Sequence, residues 1–150
     1  MLIFTNIQIN SRVVDLRQRI LVQIRKLVDI MQKIFVVEDD RFLRELITEE
    51  LAREGFSVGS AVDGEEALEK ITQQKPDLVL LDLILPGIDG YEVLKRMKDS
   101  PATLKIPVVI LSNLGQKENF DKGMGLGAID YLIKSNFTPR EIIAKVKKYF

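Results

Sequence analysis

At 150 residues, 46% of them hydrophobic and 29% charged, the chain has the size of one domain and enough apolar content for one continuous core, which excludes a disordered tail or a small peptide scaffold. Cysteine and histidine are both absent, so disulfide frameworks, thiol nucleophiles, thiolate or imidazole metal sites, Ser-His-Asp hydrolysis and a phosphohistidine relay are excluded, and any chemistry falls to carboxylates, hydroxyls and lysines. The net charge of zero hides an asymmetry: residues 1–33 hold six Lys/Arg against two Asp, a net of +4, and residues 34–150 hold 16 against 20, a net of −4, an acidic body that speaks against direct nucleic-acid binding.

Residues 1–32 read as a basic amphipathic extension. Val13, Leu16, Ile20, Leu27 and Ile30 recur at near-heptad spacing with Ile24 beside them, and Arg12, Arg17, Arg19, Arg25 and Lys26 supply charge, which predicts one helix. Fewer than three full heptads, with Gln23 at a core position, fall short of an autonomous coiled coil. The role of this helix is open between dimerisation, a membrane surface and packing back on the rest of the chain, and an alternative is that Met31 is the biological start. No apolar run approaches the roughly 18 residues of a membrane span, and Leu2 to Phe4 is too short for the core of a signal peptide. Cytoplasmic residence is expected.

From residue 33 to 150, apolar runs of strand length alternate with segments of helical period, the pattern of βαβ units in a parallel sheet. Ile34 to Val37, Leu78 to Leu81 and Val108 to Leu111 are continuous apolar runs, as expected for strands covered on both faces. Phe56 to Val62 and Tyr131 to Ile133 are weaker strands. Leu43, Leu46, Ile47 and Leu51 mark one helical stripe, Ala67, Leu68 and Ile71 a second, and Val93, Leu94 and Met97 a third. Gly123 and Gly125 predict a loosened fourth helix, with Gly127 as its stop. Thr138, Pro139 and Glu141 form the start signal of a last helix that runs through Ile142, Ile143, Val146 and Tyr149. With the chain ending at Phe150, no attached output domain is expected.

In an open parallel sheet the functional crevice lies at the carboxyl ends of the strands. Val37 is followed there by Glu38, Asp39 and Asp40, Leu81 by Asp82, Leu111 by Ser112, and Ile133 by Lys134. Asp40 reads as the N-cap of the following helix. The other carboxylates would repel one another by roughly 1–4 kcal/mol per close pair, a penalty that a divalent cation relieves. Hard oxygen ligands in a small set favour Mg²⁺ that keeps several waters. A metal, a hydroxyl and a lysine around a central carboxylate suit a phosphoryl group, with Asp82 as nucleophile and Ser112 and Lys134 on the phosphoryl oxygens.

The runs Val36 to Asp40, Leu80 to Gly90, Leu111 to Asn113 and Asp130 to Lys134 resemble, in order and spacing, the response regulator receiver domains, and the resemblance covers residues 33–150. It implies a flavodoxin-like, doubly wound five-stranded parallel sheet in the order 2-1-3-4-5, here with an extra N-terminal helix. It also implies Asp82 as phosphoacceptor, and Asp39 and Asp82 as direct ligands of Mg²⁺. Glu38 would act through water and the Ile84 backbone carbonyl would complete the protein ligands. Tyr131 would be the switch aromatic whose burial follows movement of Ser112. Ser135 stands where the family usually has proline, so a trans bond is expected there, and Asn113 is larger than the residue usual after the switch hydroxyl. Ile84 and Leu114 occupy the positions that tune hydrolysis of the acyl phosphate, and their apolar side chains predict a long-lived phosphoryl state.

The expected function is therefore a switch of a two-component system. It would accept phosphoryl from a histidine kinase, a phosphotransfer protein or a small phosphodonor. It would signal to a downstream protein through the face made by the domain's fourth helix, fifth strand and fifth helix, and a dimer is allowed. It would catalyse only its own phosphorylation and dephosphorylation. A Mg²⁺-dependent aspartyl-phosphate phosphohydrolase is the enzymatic alternative, weakened because Ile84 stands where a second acid/base carboxylate would be needed. A phosphate-independent scaffold is the third reading.

Overall fold

The computed structural model describes the backbone of residues 2–150 and the side chains of residues 10–150. The chain divides into two compact units, residues 1–31 and 32–150. The first is one long helix, α1 (Leu2–Ile30), as the heptad spacing predicts. Its described side chains face solvent, Val13, Leu16, Ile20, Ile24 and Leu27 among them. Among the described residues no helix is long and apolar enough to cross a membrane.

The second unit alternates strand and helix throughout: β1 (Lys33–Val37), α2 (Arg41–Arg53), β2 (Ser57–Ala61), α3 (Gly64–Gln74), β3 (Leu78–Leu81), α4 (Gly90–Asp99), β4 (Val108–Ser112), α5 (Lys117–Gly125), β5 (Asp130–Ile133), a 3₁₀ turn (Lys134–Asn136) and α6 (Pro139–Lys147). All pairings are parallel, in the order β2-β1-β3-β4-β5. Alternation along the continuous apolar strands sends side chains to both faces. Ile34, Val36, Leu78, Leu80, Val109 and Leu111 pack with Ile47 and Leu51 of α2 and with Ile142, Ile143 and Val146 of α6. Phe35, Val37, Val79, Leu81, Val108 and Ile110 pack with Ala67 and Ile71 of α3 and with Val93, Leu94 and Met97 of α4.

Helix starts follow the capping chemistry. Asp40 Oδ1 accepts the Leu43 N–H at 2.8 Å, the cap role its sequence position predicts, and Asp63 and Asp89 cap α3 and α4 in the same way. Thr138 and Glu141 close both bonds of a capping box at 3.3 Å, with Pro139 inside the first turn. Among α2 to α6, the helix with no side-chain cap is α5, which buries only Gly123. A methyl group there would collide with Ile110 Cδ1 and press on the Tyr131 ring at 3.4 Å. Gly123 is thus a close-packing position, which corrects its reading as a loosening element; Gly125, with open space around it, has no such duty.

The register positions the site. Val37 pairs with Leu81, Leu81 with Ile110, and Ser112 with Ile133. The residues that follow β1, β3 and β5, with Ser112 at the end of β4, therefore come out on one edge of the sheet.

Candidate functional site

Lys134 is drawn into the domain by two carboxylates. Its Nζ lies 2.7 Å from Asp82 Oδ2 and forms a second, shorter ion pair with Glu38 Oε2. The three side chains are 12%, 6% and 3% exposed respectively. Burial works against the ammonium charge, but the bonds to Asp82 and Glu38 outweigh it and raise the Lys134 pKa. Burial pushes the Glu38 carboxyl above the usual range, with the Lys134 ammonium and the Asp40 N–H, 3.1 Å from Oε1, opposing that rise and the Asp82 charge adding to it. Asp39 sits beside them, exposed.

One carboxylate oxygen from each of Glu38, Asp39 and Asp82 lies within 4.8 Å of the other two. An all-oxygen donor set with one open, exposed member fits a hard cation that retains water. The Asp82 carboxylate is further oriented by the Ile84 N–H, 3.3 Å from Oδ1. Ile84 is 57% exposed, whereas Leu114 is partly buried against the hydrophobic core, so the two apolar tuning positions differ in surroundings.

Ser112 is fully buried at the end of β4, and its Oγ accepts the Leu114 N–H at 3.4 Å. Tyr131 is turned inward. Its ring is 8% exposed and tilted against Phe120 at 5.8 Å, and its hydroxyl donates to the Leu114 carbonyl at 2.5 Å. Burial, with the neighbouring Tyr91 and the Asp82 charge, pushes its phenol up to about 12, while the Ser112 hydroxyl favours the phenolate and opposes the shift.

Three supports are not legible as strand-end residues. The Arg44 guanidinium, one turn into α2, donates to the Glu38 carbonyl at 2.8 Å and the Asp39 carbonyl at 3.3 Å, holding the acidic loop from behind. Gly90 opens α4 where a methyl group would run into the Asp82 carbonyl, and its N–H donates to the Leu83 carbonyl at 2.9 Å. Asn113 Oδ1 accepts the Ser135 N–H at 3.0 Å, and the bond between Lys134 and Ser135 is trans as expected, with no cis peptide among the described residues. Only the spacing of Arg44 from the acidic pair, five residues on from Asp39, gave any signal, since an arginine on the first turns of a helix can reach back over its own N-terminus.

Residues 34–147 match the family described as response regulator receiver domain. The alkaline phosphatase synthesis transcriptional regulatory protein PhoP of Bacillus subtilis is 44% identical over 118 residues, covering 77% of this chain and 47% of PhoP, so the chain spans about half the length of this curated relative. Among solved structures, a putative response regulator from Chloroflexus aurantiacus superposes with a TM-score of 0.70 at 37% identity, covering 79% of this chain and 96% of that one. The chemotaxis protein CheY4 of Vibrio cholerae gives 0.74 at 26% identity, covering 80% of this chain and 99% of that one.

Proposed function

The chain belongs to the response regulator receiver family over residues 34–147, and from that footing we propose that it is a phosphorylation-driven switch whose acceptor is Asp82, with residues 33–150 as the receiver and residues 1–32 as a separate extension. The observation that carries the proposal is the convergence at one sheet edge of a buried carboxylate, its paired ammonium and two further carboxylates within ligand distance of one another.

In the proposed reaction an Asp82 carboxylate oxygen attacks the phosphorus of a donor, a phosphohistidine of a partner kinase or a small acyl phosphate. The donor's P–N or P–O bond breaks, its electron pair leaves with the imidazole or carboxylate, and Asp82 becomes a mixed anhydride. A bound Mg²⁺ supplies neutralising charge at the phosphoryl oxygens. Asp39 and Asp82 would hold it directly, Glu38 through water, and the Ile84 carbonyl would complete the set. Lys134, released by Asp82 as that carboxylate becomes the anhydride, follows the phosphoryl oxygens, and the Ser112 hydroxyl donates to one of them.

In the product a phosphoryl group of about −1.5 to −2 charge stands at the edge of the sheet in place of the carboxylate's −1. Drawing Ser112 toward it moves the loop that carries the Leu114 carbonyl, and with it the anchor of the Tyr131 hydroxyl. Phosphorylation in this reading stabilises the inward Tyr131 position and the α5-β5-α6 face that surrounds it, where a downstream protein binds. Because Ile84 and Leu114 offer no polar group to orient an attacking water, the anhydride persists for minutes or longer, which the decay of the adduct after donor removal measures; loss within seconds contradicts it.

The test is phosphoryl uptake from acetyl phosphate with Mg²⁺, followed by intact mass. The native chain takes up one phosphoryl group, Asp82→Asn none, and Asp39→Asn loses most of the Mg²⁺ dependence. Equal uptake by Asp82→Asn overturns the assignment.

A further inference from the structure

Two strand-end loops meet beside the buried lysine. Asn113 follows Ser112 at the end of β4, Ser135 follows Lys134 at the end of β5, and the Asn113 amide oxygen accepts the Ser135 N–H at 3.0 Å across 22 residues of sequence. The carbonyl of the same Lys134–Ser135 peptide accepts the Phe137 N–H at 3.3 Å. That peptide unit is held at its N–H by the β4 loop and at its C=O by its own turn. A plane fixed at both polar ends fixes the Cα it hangs from, and this Cα roots the side chain whose ammonium spans Asp82 and Glu38.

We infer that Asn113 is a positioning residue for the phosphorylation reaction: its amide oxygen sets the Lys134–Ser135 peptide, and thereby aims Lys134 at Asp82. Asn113 is also covalently next to Ser112, so the two groups that grip the phosphoryl oxygens form one mechanical unit, and displacement of Ser112 is carried to the lysine. The device needs both members. A proline at position 135 has no N–H to offer, and a side chain at position 113 without an acceptor leaves the Ser135 N–H to solvent. The consequence for phosphorylation rests on the function proposed above; the geometric link does not.

The experiment reads both. In ¹⁵N-labelled protein without donor or metal, Asn113→Ala speeds solvent exchange of the Ser135 amide about 3- to 10-fold, the range of one neutral hydrogen bond, while amides of α6 are unchanged. With saturating Mg²⁺, Asn113→Ala lowers the maximal rate of uptake from acetyl phosphate by a similar factor and leaves the half-saturating donor concentration unchanged. Asn113→Asp, which keeps the acceptor oxygen, retains the slow amide exchange, and Ser135→Ala, which keeps the N–H, behaves as native. In a Ser135→Pro background Asn113→Ala has no effect on uptake. The inference is overturned if Ser135 exchange is the same in Asn113→Ala as in the native chain, or if Asn113→Ala slows uptake equally with and without proline at 135. Should the native chain take up no phosphoryl group, the functional reading fails, and the amide exchange alone still decides whether Asn113 holds the Lys134–Ser135 peptide.

Discussion

Lys134 carries more of the local electrostatics than any other side chain at the sheet edge. Two buried carboxylates share its ammonium, and removing one partner from a buried ion cluster costs about 3–5 kcal/mol because the remaining charges have neither water nor counterion. Lys134→Met is therefore expected to unfold at lower denaturant in a chelator, and Mg²⁺ is expected to restore part of the loss by taking over the carboxylates; a variant as stable as the native chain without metal contradicts this. Tyr131 gives the pH dependence. Its phenol, pushed up to about 12 chiefly by burial, lies above the unfolded value of about 10, so its contribution is complete below pH 10 and is lost as pH rises toward 12. The interval amounts to about 2–3 kcal/mol, and Tyr131→Phe should flatten stability measured between about pH 9 and about pH 12 by that much; an unchanged alkaline slope contradicts it. At this scale the sequence was most legible where a reactive residue directly follows an apolar run. Glu38, Asp39, Asp82 and Lys134 follow the strands and Ser112 ends one, and the register leaves all five on one edge. Asn113 was not legible as a support, because the Ser135 N–H it accepts is brought to it by tertiary packing, whereas Arg44 reaches back locally to the Glu38 and Asp39 carbonyls and gave only its spacing as a signal.

Among the elements, α5 differs from its neighbours. It has no side-chain cap, and its one buried residue is a glycine pressed against β4 and the Tyr131 ring. Helix propensity favours alanine over glycine by about 1 kcal/mol, but forcing a methyl group into a filled core costs typically 1–3 kcal/mol. Gly123→Ala and Gly125→Ala, two residues apart on the same helix, should thus change stability in opposite directions, the first downward and the second upward, in paired denaturant titrations. Equal gains would mean that α5 stands off the sheet. Propensity alone reads both glycines as the same weakness, since sequence spacing does not reveal which of them faces Ile110. The other elements were read closely. Continuous apolar strands gave the doubly covered sheet, and the Thr138-Pro139-Glu141 signal placed the start of α6. Phe56 lies just outside β2, where it packs near Phe150, a contact no local pattern specifies.

Across the whole molecule, the described buried core lies entirely at Ile34 and beyond, so the receiver unit has its own stabilising interior. Residues 34–150 carry a net charge of −4 in a chain that is neutral overall, and the most buried charges of the receiver unit are gathered at one sheet edge around a single ammonium. That concentration is costly as pure architecture and useful as chemistry, because each carboxylate–lysine contact that the fold maintains is one that a metal and a phosphoryl group can replace. The central claim is that this edge makes a mixed anhydride on one carboxylate. The direct measurement is borohydride reduction of the chain after incubation with Mg²⁺ and acetyl phosphate, followed by peptide mapping. The account requires the reduced residue at position 82 and nowhere else; reduction at Asp39, at Glu38 or at no residue would contradict it.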